Sequence, residues 1–192
     1  MAKPTNGTMG GDRCEIHRRF QAADAAYRAG DVEALRRALG EPPDFPNCRQ
    51  PFALGLGEYP LEYAVYWSPI AFVAELIELG ADVNYPDSSG FPSLVAALST
   101  DRPDRGGILR LLLEKGADVG QRGINDWTPL HYAVVRRDLE AVAMLLAHGA
   151  DPTLRTRIDD CSTPLDDAQA IDLTEAVELM RKAMAQGRAV SP

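Results

Sequence analysis

The chain has 192 residues, 45% of them hydrophobic and 25% charged, enough length for one domain and too ordinary a composition for a disordered or fibrous protein. Its 28 acidic residues outnumber 20 basic ones, leaving a net charge of −8, so nucleic acid is excluded as an expected partner. Cys14, Cys48 and Cys161 are odd in number and lack paired metal-ligand spacing, and they read as reduced thiols in a cytoplasmic protein rather than a disulfide framework.

Residues 1–13 are polar and glycine-rich and carry no apolar segment of the kind a secretory signal requires; they read as a disordered N-terminal tail. No later stretch approaches membrane-spanning length, so no membrane association is expected. Asn6-Gly7-Thr8 matches a glycosylation acceptor, which has no weight without an export signal. From Cys14 to Gly40 a helical period runs through Ile16, Phe20, Ala23, Ala26 and Tyr27, breaks at Gly30-Asp31, and resumes through Val32, Leu35, Ala38 and Leu39. Arg18, Arg19, Arg28, Arg36 and Arg37 take the outward positions, as in a terminal cap that faces water.

Glu41–Gly57 contains Pro42, Pro43, Pro46 and Pro51 and cannot continue a helix, so a long extended loop is predicted. Asp44, Phe45, Phe52 and Leu54 suit it to fold back on the helices. The next unit has helices over Pro60–Trp67 and Ile70–Leu79, closed by Gly80-Ala81-Asp82.

The pattern then recurs. Gly-Ala-Asp begins at Gly80, Gly116 and Gly149, 36 and 33 residues apart. An independent ruler is the leucine that opens each first helix: Leu61, Leu94, Leu130 and Leu165 lie 33, 36 and 35 apart, each with alanine three residues on. The longer interval places a three-residue insertion in Asp101–Gly107, lengthening one inter-helix turn. In the central copy Thr128 caps a helix and Pro129 occupies its first position. Leu130, Ala133 and Val134 form one apolar stripe, and Leu139, Val142, Leu145 and Leu146 a second. One such hairpin cannot bury both faces alone and needs stacked neighbours.

Thr128, Pro129, Leu130, His131 and Ala133, with the spacing of about 33 residues, resemble the ankyrin repeat family. Thr163-Pro164-Leu165 keeps half of the motif with Asp166 in the histidine's place, Pro60-Leu61 is followed by Glu62, and Leu94 by Val95. Asp87 and Gly90 fit the family's preceding turn. The resemblance implies an all-α solenoid of about five helix-turn-helix units, a single domain over 14–185. Its repeats fall near 14–40, 57–85, 87–119, 123–154 and 158–184, with a C-terminal tail over 186–192. It also implies that His131 makes a hydrogen bond inside its turn.

Little in the chain suggests catalysis. His17, His131 and His148 show no i, i+4 pairing for a helical metal site, and neither a phosphate-binding glycine loop nor a serine nucleophile elbow is present. Asp159, Asp160, Asp166, Asp167 and Asp172 match no calcium loop and read as turn and helix-start acids. No enzyme activity, metal or cofactor is expected.

What remains is recognition. In the ankyrin family turn tips and first helices line a concave groove, and equal offsets from each repeat leucine face the same way. Those offsets select Phe91 and Trp127, Tyr63 and Tyr132, and Tyr66, Trp67 and Arg136, with Asn125 in the turn before Trp127. Aromatics and arginine combine large contact area with a polar tip. Tyr63 and Tyr132 are equally suited to packing on a neighbouring repeat or on the long loop. The expected function is a monomeric, non-catalytic protein-interaction module, its acidity favouring a neutral or basic partner. The alternative is an inhibitor or regulatory subunit that inserts the Glu41–Gly57 loop into an enzyme cleft. A small-molecule binder ranks below both, since repeat stacks are open.

Overall fold

Proline starts and glycine stops these helices. Pro60, Pro129 and Pro164 each occupy the first turn of a helix, where the missing N–H has no intrahelical partner to lose. Gly80, Gly116 and Gly149 follow the second helices with φ of 97°, 86° and 88°, the left-handed conformation that closes a helix without steric cost. A computed structural model describes residues 9–52, 57–86, 88–158 and 161–188, and among them every regular element is helical, with no strand. Leu54, Asp87, Asp159 and Asp160, singled out above, lie outside the described residues, as do 1–8 and 189–192. The chain divides into two compact units, Met1–Ala81 and Asp82–Pro192.

The first unit holds α1 (Met9–Ala29), α2 (Val32–Leu39), α3 (Pro60–Trp67) and α4 (Ile70–Glu78). Helix α1 packs on α2 and α3, and α3 on α4, around Tyr27, Leu35, Leu61, Phe72 and Leu76. Asp31 caps α2 by accepting the Ala34 N–H at 2.8 Å. Helix α1 begins at Met9, inside the stretch expected to be tail, because extending a helix already held by packing needs no new nucleus. Ile16 lies on it but is exposed, so it leaves the apolar stripe that its spacing suggested.

The proline-rich segment folds back through hydrogen bonds. Asn47 donates its side-chain amide to the Gly80 carbonyl at 2.8 Å, and Gln50 bonds the Tyr27 hydroxyl and the Gly57 and Tyr59 carbonyls. Burial takes Cys48 out of solvent and pushes its thiol up to about 11. The described part of this segment is therefore bound to its own unit.

The second unit contains α5 (Ser93–Ser99), α6 (Arg105–Glu114), α7 (Pro129–Val135), α8 (Leu139–Ala147), α9 (Pro164–Ala170) and α10 (Thr174–Arg188). Helices α5, α7 and α9 form one layer and α6, α8 and α10 the other, each hairpin packing on the next. Leu98, Leu112, Leu130, Val142 and Leu145 fill the seam, each burial contributing about 1.5–3 kcal/mol. The insertion lengthens the α5–α6 turn, as expected, and adds a residue to α6. Helix α10 runs to Arg188, past the expected start of the tail, and completes the outer layer.

Candidate functional site

The turn before α7 is built from residues that tolerate left-handed backbone. Asn125 and Asp126 have φ of 57° and 58°, a region in which Asn and Asp are the commonest residues after glycine. Gly123 cannot be replaced easily, because a Cβ there would lie 2.6 Å from the Gly90 carbonyl oxygen. Ile124 donates its N–H to that same oxygen at 2.7 Å, tying this turn to the preceding one.

Asp126 is the centre of the turn. Its carboxylate accepts the Arg157 guanidinium, the Arg157 backbone N–H at 2.6 Å and Arg122 at 2.7 Å. Arg122 also donates to the Arg155 carbonyl at 2.9 Å. The Arg157 hydrogen bond, helped by the charge of Arg122, holds the Asp126 carboxyl down at about 2. Two successive turn tips are thereby locked together.

One position behind each tip follows a common rule. His131 Nδ1 accepts the Thr128 backbone N–H at 3.2 Å, which leaves the proton on Nε2 to donate to the Ser162 carbonyl at 3.3 Å. The turn bond implied by the family resemblance is present, and a second bond reaches the next hairpin. Burial lowers the His131 pKa and keeps the ring neutral. Asp166 accepts the Thr163 N–H at 3.0 Å from the matching position, and Glu62 accepts the Gly57 and Glu58 N–H groups in the first unit. Replacing histidine by a carboxylate therefore preserves what the turn needs: an acceptor.

Between the Asn125–Trp127 tip, the end of α7 and the start and end of α9 lies a cleft of about 260 Å³. Its walls are Trp127, Val135, Ala170 and Ile171, with Asn125, Thr156, Ser162 and Asp167 supplying polar atoms. Trp127 is half-buried and meets the Tyr132 ring edge-on at 6.0 Å, which fixes the indole. Of the expected contact residues, Asn125 and Trp127 line this cleft, and Tyr132 supports it. Arg136 is exposed and paired with Asp101, and Phe91 is half-buried beside the preceding turn, its carbonyl accepting the Tyr85 hydroxyl.

Tyr66 and Trp67 belong to the first unit, where Trp67 is 43% exposed and the Arg28 guanidinium lies 5.0 Å from its ring. Tyr63 must be removed from the contact surface: it is 9% exposed, lies 4.6 Å from Tyr27 and donates its hydroxyl to Asp24 at 2.7 Å. Burial and that hydrogen bond raise its pKa. Val135, Ala170 and Ile171 were absent from the sequence-based contact set, although the offsets of five and six from Leu130 and Leu165 land on all three. Ser162 and Asp167 stand at the offsets of Trp127 and Tyr132 when counted from Leu165, whereas Thr156 had no such ruler.

Among the described residues no group of three His, Cys, Asp or Glu side chains is placed to hold a metal ion, and no helix is long and apolar enough to cross a membrane. The cysteines are free: Cys14 and Cys161 exposed, Cys48 buried.

The family model for ankyrin repeats, in three copies, matches residues 104–156. Residues 104–156 carry ankyrin repeats. This ankyrin stretch contains Asn125, Trp127 and His131, and the family is typically non-catalytic and engaged in protein interactions. The palmitoyltransferase Hip14 of Drosophila melanogaster is 45% identical over 93 residues, 48% of this chain and 14% of that protein. BCL-6 corepressor-like protein 1 of Homo sapiens is 44% identical over 75 residues, 39% of this chain and 4% of that protein. The putative E3 ubiquitin-protein ligase XBAT35 of Arabidopsis thaliana is 32% identical over 106 residues, 54% of this chain and 22% of that protein. The chain thus spans less than a quarter of each of these relatives, and their names point to no common activity.

Proposed function

We propose that the chain is a non-catalytic protein-binding module of the cytoplasm, monomeric, whose second unit takes an extended segment of a protein partner in the cleft at Asn125 and Trp127. The observation that carries this reading is an indole held on the wall of an open cleft whose two turn tips are already tied by Arg122, Asp126 and Arg157. Such fixing removes ordering cost from binding, and a rigid aromatic beside polar groups is the usual composition of an interface anchor. Trp67 and Tyr66 offer a separate aromatic contact on the first unit.

The test is a phage-displayed library of random dodecapeptides selected on the full chain, with enriched peptides then titrated against Trp127→Ala. Weakening by about tenfold or more, at an unchanged melting temperature, is expected for loss of a central aromatic anchor. Enriched peptides that bind Trp127→Ala as tightly as the parent chain would refute the reading.

A further inference from the structure

We infer that the cleft accepts a basic side chain, arginine or lysine, from the partner segment, its aliphatic stem lying along Trp127 and Ile171 and its cation reaching Asp167. This rests on the cleft being the binding site.

Of the eight described residues lining the cleft, Asp167 alone is charged. It is half-buried, and among the described residues its carboxylate has neither a hydrogen bond nor an ion pair. The other half-buried acids of this unit, Asp104, Asp126 and Asp138, are each paired with arginine. Asp126 holds Arg122 and Arg157, Asp138 holds Arg105 at 2.5 Å, and Asp166 takes the Thr163 N–H and lies 3.5 Å from Arg155.

The neighbouring cations are also committed. Arg155 donates to the Cys161 carbonyl, Arg136 is paired with Asp101, and Arg137 donates to the Ile171 carbonyl at 2.7 Å. Among the described residues no cation of the unit is paired with Asp167. A partly desolvated carboxylate without a counter-ion, on the same wall system as an indole, attracts a cation through both its charge and the ring quadrupole.

The competing occupants fit less well. A carboxylate or phosphate would meet a like charge, and a purely apolar side chain would strip water from Asp167 without replacing its hydrogen bonds. The net charge of −8 steers basic segments toward the chain in the same sense.

The experiment uses the same library on the full chain and reads residue preference position by position, with Asp167→Asn and Asp167→Lys alongside Trp127→Ala. The expected result is one position dominated by arginine or lysine, binding weakened about tenfold in Asp167→Asn, and a shift toward acidic residues at that position in Asp167→Lys. Binding should also weaken with added salt. Peptides that depend on Trp127 but show no basic position, and bind Asp167→Asn like the parent, would overturn this inference and leave the binding site standing. Peptides indifferent to Trp127 would overturn both. Asn keeps the size and shape of Asp, so if Asp167→Lys fails to fold, Asp167→Asn and the salt series decide the matter.

Discussion

Tyr63 in the first unit and Tyr132 in the second stand at the same offset from their repeat leucines, yet one is buried and the other half-exposed. In the first unit the proline-rich segment returns over the helices. Gly57 approaches so closely that a Cβ there would lie 3.1 Å from Tyr63, and Phe20 meets both Phe52 and Tyr63 edge-on. In the second unit a short turn precedes α7, and Tyr132 lies against Trp127 beside an open cleft. The repeat period sets the direction of a side chain. What the intervening loop does sets whether that side chain is available.

Truncating the two tyrosines gives the sharpest contrast. Tyr63→Ala should destabilise the first unit by about 3–5 kcal/mol, since it empties a core position and leaves Asp24 without its hydroxyl donor. Tyr132→Ala should cost about 1 kcal/mol or less, as expected of a partly exposed ring. Urea midpoints for the two variants check this, and equal losses would dissolve the contrast.

At the second unit's turn, Asp126→Asn should cost about 1–3 kcal/mol, because two guanidinium groups and the Arg157 N–H lose a charged acceptor. Asp126→Gly should cost more than Asp126→Asn, since it removes every side-chain acceptor while Asn keeps one oxygen and also tolerates the left-handed backbone. Thermal unfolding orders the two.

Smaller effects are expected where the units behave alike. Asn47 and Asn84 each donate a side-chain amide to a helix-closing glycine carbonyl, Gly80 and Gly116, so alanine at either should cost about 1 kcal/mol. Asn47 therefore performs, inside the proline-rich loop, the task of the ordinary repeat residue Asn84. Chemical denaturation of both variants tests the equivalence.

A pH series separates the units again. His131 is buried with its pKa lowered from 6.5, so the unfolded chain takes up that proton first. Its contribution is complete above about 6.5 and declines as the pH falls below that value. Asp126, lowered from 3.8 to about 2, adds stability that is present above 3.8 and lost as the pH falls toward 2. Residue-resolved amide exchange should show the second unit weakening first between neutral and mildly acidic pH, and His131→Asn should remove that step.

Much of the fold was legible in the sequence because helix signals are local. Pro60, Pro129 and Pro164 mark starts, and Gly80, Gly116 and Gly149 mark stops, whatever surrounds them. The site was legible only in part. Trp127 and Asn125 could be found by counting from Leu130, and Asp167, two after Leu165, stands at the offset of Tyr63 and Tyr132, but that it shares a cleft with Trp127 follows only from the packing of α9 against α7. Tyr63 was left open between contact and packing for the complementary reason, since the segment that covers it has no repeat counterpart of equal length.

The most direct test of an open cleft on the second unit is a residue-resolved NMR titration of the full chain with a peptide enriched on it. The account predicts shifts at the Trp127 indole N–H, the Asn125 side-chain amide and the Val135 and Ile171 methyls, with the first unit undisturbed. Shifts centred instead on Trp67, or spread over the first unit while Trp127 stays still, would contradict it.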